Sequence, residues 1–268
     1  MYDIKITFFG NEKIFSYQVF LDEDQIKKLR KTKKVLIEND KFLEVGNIAD
    51  LQKIGKNKES SKKEDDPVGN FLRVCDENDL LKINELKLKA KEYIPKCIQK
   101  VKIHNLNMKI FDADLSFDEK KLTIYFGATS RIDFRKLVLD FIKDFKKMIR
   151  LQQIATRDQA KIVGGYGACG RELCCKKFLN SPDLITLDCA KIQDLSNNVG
   201  KISGCCGKLM CCLNYELEEY KRLKDKFPKI GSKLKTSSGL AYVIGHNIFN
   251  ESVMVEIVKD KRRIEVKL

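Results

Sequence analysis

A nine-residue cysteine pattern occurs twice in this chain and constrains its fold more than any other feature. The first copy, GACGRELCC, spans residues 167–175, and the second, GCCGKLMCC, spans residues 204–212. They align without a gap and share three cysteine positions, which are Cys169, Cys174 and Cys175 in the first copy and Cys206, Cys211 and Cys212 in the second. Clustered cysteines at repeated spacing are typical of metal sites.

The residues around these cysteines suit a bound metal. Glycines on both sides of the first cysteine let backbone N–H groups turn toward sulfur, and a basic residue offsets thiolate charge and lowers the thiol pKa. Structural zinc usually has C-x2-C knuckles and often histidine. Neither copy contains C-x2-C, and the chain has two histidines, His104 and His246. An all-cysteine site favours an iron–sulfur cluster, [4Fe-4S], with Zn²⁺ as the alternative.

Two further interpretations of the cysteines stay open. The adjacent pairs at the end of each copy could act as redox dithiols, although a disulfide between neighbours is strained. Buried cysteines could also serve as small hydrophobic residues, which leaves the matched glycines unexplained. Because one cubane needs four ligands and each copy offers three, a cluster is shared between copies or completed by a partner. Cys189 and Cys205 lie outside the matched set and are accessory candidates.

Composition limits the class of protein. No apolar run approaches the ~20 residues that span a bilayer, and the N-terminus lacks a secretory pattern, so we expect a cytoplasmic protein. The net charge of +14 suits a polyanion such as RNA, or reflects lysine-rich composition alone. No RNP-type motif is present, so direct sequence-specific reading of RNA is not supported. No P-loop, G-x-S-x-G or H-E-x-x-H pattern is present either, which favours a non-enzymatic role.

The hydrophobic pattern predicts an α+β fold with five segments. They are a small antiparallel β module (1–52), a charged linker or loop (53–69), an α/β domain with a long amphipathic helix (70–155), a Cys-rich metal-binding segment with a helix (156–228), and a small β-barrel-like module (229–268).

Two helices are predicted in the α/β domain, on either side of two strands. The first covers residues 76–91, and Pro95 is expected to end or kink it. The second is capped by Ser130 with Asp133 and extends through Ile149. Arg131, Asp133 and Arg135 form, with Asp112 and Asp114, the main polar group outside the cysteines, interpreted as a cap and salt bridges or as a phosphate or protein docking site.

Several stretches carry a resemblance to a known family. They are residues 106–109 (LNMK), 122–126 (LTIYF) and 131–138 (RIDFRKLV), followed by 157–161 (RDQAK), 190–196 (AKIQDLS), 201–204 (KISG) and 213–216 (LNYE). With both cysteine copies, the chain resembles bacterial PSP1-domain proteins of the RicT/YaaT type over nearly its whole length.

The resemblance implies a cytoplasmic protein without established catalytic activity. Members of this family join two small helical partners, RicA and RicF (YmcA and YlbF), in a complex that carries iron–sulfur clusters. That complex is linked to RNase Y, to mRNA processing, and to sporulation, competence and biofilm formation. The six matched cysteines are the implied ligands, and any RNA contact is expected to be weak or indirect. The alternatives are a zinc-stabilised RNA-binding protein and a thiol or iron–sulfur redox enzyme.

Three positions depart from the family pattern. Cys205 stands where an apolar residue is usual, Cys189 where methionine is common, and Lys208 where arginine is frequent. No motif cysteine is lost, so the implied ligand set is complete.

Overall fold

A computed structural model describes residues 1–8, 14–53, 69–179, 184–195, 198–237 and 239–267. The chain forms two compact units, Met1–Gly164 and Gly165–Leu268. Most of the predicted linker, residues 54–68, lies outside the described residues.

The first unit combines two sheets with four described helices. In chain order its elements are β1 (Tyr2–Thr7), β2 (Ile14–Val19), α1 (Glu23–Thr32), β3 (Lys34–Asn39), β4 (Phe42–Lys53), β5 (Asn70–Val74), α2 (Glu77–Ile103), β6 (Lys109–Leu115), β7 (Lys121–Gly127), α3 (Arg135–Phe145), β8 (Met148–Gln153) and α4 (Thr156–Val163).

The N-terminal sheet is antiparallel, as predicted, with the strand order β2-β1-β4-β3-β5. The β3–β4 hairpin turns at Asp40 and Lys41, both with positive φ, as a tight two-residue turn requires. Its core includes Ile4, Ile6 and Val35, all fully buried. Alternation of apolar and polar residues therefore identified the buried face correctly.

Helix α2 runs through Pro95 to Ile103, so of the two predicted outcomes, an end or a kink at this proline, the end is excluded. Proline removes one helical N–H, at a cost of about 3 kcal/mol. On the C-terminal side of Pro95, Cys97 and Val101 continue the buried face that Ala90 occupies before it. The burial of side chains before and after Pro95 offsets the hydrogen bond that the proline removes.

The predicted second helix is shorter than expected. Helix α3 begins at Arg135 without a side-chain cap, and the Asp133 carboxylate accepts from the Arg135 backbone N–H, so the cap assigned to Ser130 was wrong. Lys146 then adopts a left-handed conformation that ends the helix. Met148 and Ile149 open β8 instead, which runs parallel to β7. The strand–helix–strand crossover places α3 against the three-stranded sheet β6-β7-β8.

The second unit consists of short helices and one sheet. Its elements are α5 (Cys174–Lys177), α6 (Leu187–Ile192), α7 (Val199–Ile202), α8 (Cys211–Tyr215), α9 (Leu217–Lys224), β9 (Lys233–Thr236), β10 (Gly239–Asn247), β11 (Ser252–Ile257) and β12 (Arg263–Lys267).

The C-terminal strands form an antiparallel meander in the order β12-β11-β10-β9. Its core contains Val243, Val253 and Val255, each almost fully buried. A register shift between Val243 and Gly245 marks a bulge, which increases strand twist. This is the small β module that the alternation predicted, and its described pairing is an open sheet. Across the described ranges of both units, no helix has the length and apolar character needed to traverse a bilayer.

Candidate metal centre

The first cysteine copy folds as a tight hairpin. The Gly167 N–H donates to the Arg171 carbonyl at 2.8 Å, and the Gly170 N–H donates to the Gly167 carbonyl at 3.0 Å. Gly170 has φ +74°, a conformation that residues with a Cβ adopt at a cost. A Cβ added to Gly167 would lie 3.4 Å from the Cys169 Sγ, so the sulfur packs directly against the backbone.

The second copy repeats this hairpin 37 positions later, from Gly167 to Gly204. The Gly204 N–H donates to the Lys208 carbonyl at 2.9 Å, and the Gly207 N–H donates to the Gly204 carbonyl at 2.9 Å. Gly207 has φ +73°. The glycine N–H groups thus close each turn. The sequence duplication is a structural duplication.

Each hairpin leads into a short helix that starts at the paired cysteines. The residue before each cysteine pair, Leu173 or Met210, is extended. The Leu173 N–H donates to the Gly165 carbonyl, and the Met210 N–H donates to the Ile202 carbonyl. Helices α5 and α8 then begin at Cys174 and Cys211. One cysteine of each copy therefore lies on the turn, and two lie at the helix start.

The two copies contact each other through equivalent residues. Helices α5 and α8 are in contact, and the rings of Phe178 and Tyr215 meet edge to face, with centroids 5.0 Å apart. Tyr215 follows Phe178 by the same 37 positions that separate the copies. The two copies therefore meet through residues that occupy the same position in each copy.

This arrangement brings thiols of different copies together. The pKa of the Cys212 thiol is raised, first by burial and then by the negative charges of Glu216, Cys174 and Cys169. For Cys212, the lowering expected from the basic residues of the pattern is therefore wrong, because burial dominates. Cys174 and Cys169 belong to the first copy and Cys212 to the second.

The matched cysteines differ in exposure, and none of them is part of a disulfide. Cys169 is exposed, Cys175 is buried, and the other four are intermediate. Among the residues that the structure describes, no three Cys, His, Asp or Glu side chains converge as metal ligands would. The chain places soft sulfur donors in one region, which fits an iron–sulfur cluster or zinc by donor type.

The two accessory cysteines occupy different environments. Cys189 belongs to a small core with Ile202 and Leu213, and its Sγ lies 3.8 Å from the Asn214 Oδ1. Cys205 is exposed on the second hairpin. Packing therefore accounts for Cys189.

Both histidines are engaged elsewhere. The His104 Nε2 lies 2.7 Å from an Asp140 carboxylate oxygen, and the His246 Nε2 lies 2.8 Å from the Pro228 carbonyl oxygen. The polar group predicted around Asp133 is also divided. Asp133 pairs with Arg135 on the surface, whereas Asp112 and Asp114 line a separate cavity.

Exposed aromatic side chains surround the hairpins, and sequence reasoning missed them. Tyr166 is 75% exposed, Phe178 49% and Tyr215 62%. The matching 37-residue offset of Phe178 and Tyr215 was the available signal.

Comparison with known proteins identifies the family. Residues 69–154 match the PSP1 C-terminal conserved region, and residues 184–227 match the third domain of PSP1-like proteins. Fold and matches together define a PSP1-domain protein. Stage 0 sporulation protein YaaT of Bacillus subtilis is 41% identical over 199 residues, which cover 74% of this chain and 72% of that protein. The chain belongs to the YaaT-type PSP1 family, and the resemblance is confirmed.

Two yeast proteins share a shorter segment. An uncharacterised Schizosaccharomyces pombe protein is 45% identical over 53 residues, or 20% of this chain and 7% of its own length. Protein PSP1 of Saccharomyces cerevisiae is 46% identical over 46 residues, or 17% of this chain and 6% of its own. No solved structure matches the chain.

Proposed function

We propose that this chain is a cytoplasmic, non-enzymatic adaptor that holds iron–sulfur clusters and joins RicA- and RicF-like helical partners. In this proposal the complex directs RNase Y-dependent mRNA processing and developmental regulation. The observation that carries it is the pair of equivalent cysteine hairpins in contact through Phe178 and Tyr215. The name of the Bacillus subtilis relative, a sporulation protein, supports the developmental role.

The contact between copies suggests how the ligands are divided. The charges of Cys169 and Cys174 act on the Cys212 thiol, which supports a ligand group drawn from both copies. The described side chains do not converge as ligands, so this proposal requires them to rotate toward one another when a cluster binds. By the 37-residue correspondence between the copies, the equivalent group is Cys206, Cys211 and Cys175. Each group has three thiolates, while a cubane cluster has four ligand positions. A partner chain would supply the fourth ligand, which explains why partner and cluster would be gained together.

The surface beside the cysteines supports partner docking. Phe178 and Tyr215 expose much of their rings although they contact each other. Exposed aromatic side chains are enriched at the centres of protein interfaces. A helical partner covering these rings would also exclude water from the clusters.

A serine series tests the proposed ligands. Cys174→Ser and Cys212→Ser are each expected to reduce iron content and capture of co-expressed RicA- and RicF-like partners together. Cys205→Ser is the matched control, because this exposed cysteine lies on the second hairpin outside the matched set. Iron retained by both ligand variants would contradict the assignment. Partner capture that survives complete cluster loss would make the cluster a sensor and would contradict its role in assembly.

A further inference from the structure

A polar cavity of about 430 Å³ lies within the first unit. Its walls come from seven elements, namely β2, β3, β4, α2, β6, β7 and β8. Its volume lies in the range of small-molecule sites, which is roughly 300–1,000 Å³. The cysteine hairpins belong to the second unit, so their proposed function leaves this cavity unexplained.

One face of the three-stranded sheet forms the floor of the cavity. Strand pairing sets polar side chains in two rows across it, Asp114–Thr123–Arg150 and Asp112–Tyr125–Gln152. Side chains alternate between the faces of a sheet, and the intervening Ala113 and Ile124 are buried in the core beneath. Tyr125 is buried but lies outside that core. The sheet therefore has an apolar face for the fold and a polar face for the cavity.

Positive charge exceeds negative charge in this cavity. Lys34, Lys87, Lys91, Lys121 and Arg150 line it, against Glu44, Asp112 and Asp114. Lys121 is paired with Glu44. Within the described ranges, Lys87, Lys91 and Arg150 form no ion pair.

Two of these cations repel each other. The pKa of Lys34 is lowered, first by burial and then by the positive charge of Lys87, and the negative charges of Cys75 and Asp114 only partly oppose this shift. Neighbouring ammonium groups that are partly removed from water are stabilised by an anion placed between them. Lysine is a common ligand of phosphate groups.

Other lining residues suit the remainder of a larger ligand. Asp112 and Asp114 offer carboxylate oxygens, which accept hydrogen bonds from hydroxyl and amino groups. The rings of Phe8 and Phe15 meet edge to face, with centroids 5.7 Å apart. Both rings line the cavity and give it an apolar surface. A simple phosphate ion would use neither the carboxylates nor the rings.

We propose that this cavity binds a mononucleotide. Lys34 and Lys87 hold its phosphate, with Arg150 as a further cation. Asp112 and Asp114 accept hydrogen bonds from its ribose hydroxyl or base amino groups.

Calorimetric titration of the full chain with AMP, GMP, CMP, UMP and inorganic phosphate tests this proposal. At least one nucleotide is expected to bind saturably, and inorganic phosphate at least tenfold more weakly. Lys87→Gln and Arg150→Gln should each weaken nucleotide binding about tenfold, the effect of losing one charge-assisted hydrogen bond. Lys136→Gln is the control, because this exposed lysine on α3 does not line the cavity.

Lys87→Gln and Arg150→Gln are both expected to fold, because each replaces an exposed side chain. Their thermal unfolding without ligand should match the control. The proposal is overturned if no mononucleotide saturates the protein, or if inorganic phosphate binds as tightly as the nucleotides. Unchanged affinity in both variants overturns it too, as does binding of a single-stranded RNA oligonucleotide without binding of any mononucleotide.

Discussion

Replacing Asp114 by asparagine tests the electrostatics of the cavity. Burial raises the pKa of this carboxyl from 3.8 to about 6, because the charged form is poorly solvated there. Lys87 and Lys34 oppose the rise, and Asp112 adds to it. A raised carboxyl pKa means that the protonated form stabilises the fold. That stability is fully present below pH 4 and is lost as pH rises through about 6.

The magnitude follows from the pKa difference. About two pKa units correspond to roughly 3 kcal/mol of unfolding free energy at neutral pH. Asp114 is partly exposed, and solvent screening reduces the effect to about 1–2 kcal/mol. Asparagine keeps the shape and stays neutral. Asp114→Asn should therefore stabilise the ligand-free protein by about 1–2 kcal/mol at pH 7.5, with a gain that shrinks toward pH 4.

Urea unfolding between pH 4 and 8, followed by circular dichroism, measures this difference. Asp24→Asn is the control, because this exposed aspartate on α1 should change stability by less than about 0.5 kcal/mol. A variant no more stable than wild type at pH 7.5 would show that the charged Asp114 carboxylate does not destabilise the fold. So would a gain that stays the same at every pH.

Three further perturbations test other parts of the account. Gly170→Ala and Gly207→Ala should each destabilise one hairpin by about 1 kcal/mol, because both glycines have positive φ. Each variant should also lower the metal content of the purified protein, and normal metal content in both would contradict this. Lys121→Ala should cost about 2–3 kcal/mol in urea unfolding by leaving Glu44 unpaired, and adding Glu44→Ala should recover part of that loss. Asp76→Ala should lower stability by about 1 kcal/mol in thermal unfolding through loss of the α2 capping box, and an unchanged midpoint would refute that role.

Local patterns predicted the elements whose stability is local. The β3–β4 hairpin follows from alternation and from turn-forming residues at Asn39 and Asp40. The helix across Pro95 did not follow, because burial of Cys97 and Val101 outweighs a local helix breaker. Met148 and Ile149 continue the apolar spacing of α3, but Lys146 in a left-handed conformation ends the helix before them.

In the cysteine region too, the sequence predicted the local turns but not the contacts between them. Repeated spacing predicted two similar turns, and the structure contains two equivalent hairpins. The contact of Phe178 with Tyr215 depends on how the two copies pack, which spacing alone does not specify. The cavity around Asp114 was missed for a related reason. Its cations come from separate elements, and strand register brings Arg150 beside Thr123 and Asp114.

Anaerobic purification of the chain with co-expressed RicA- and RicF-like proteins, followed by measurement of iron, acid-labile sulfide and zinc, determines which metal the cysteine hairpins hold. We expect iron and sulfide in equal amounts, bound in stoichiometric proportion to the chain and lost in Cys174→Ser. Stoichiometric zinc without sulfide would contradict it.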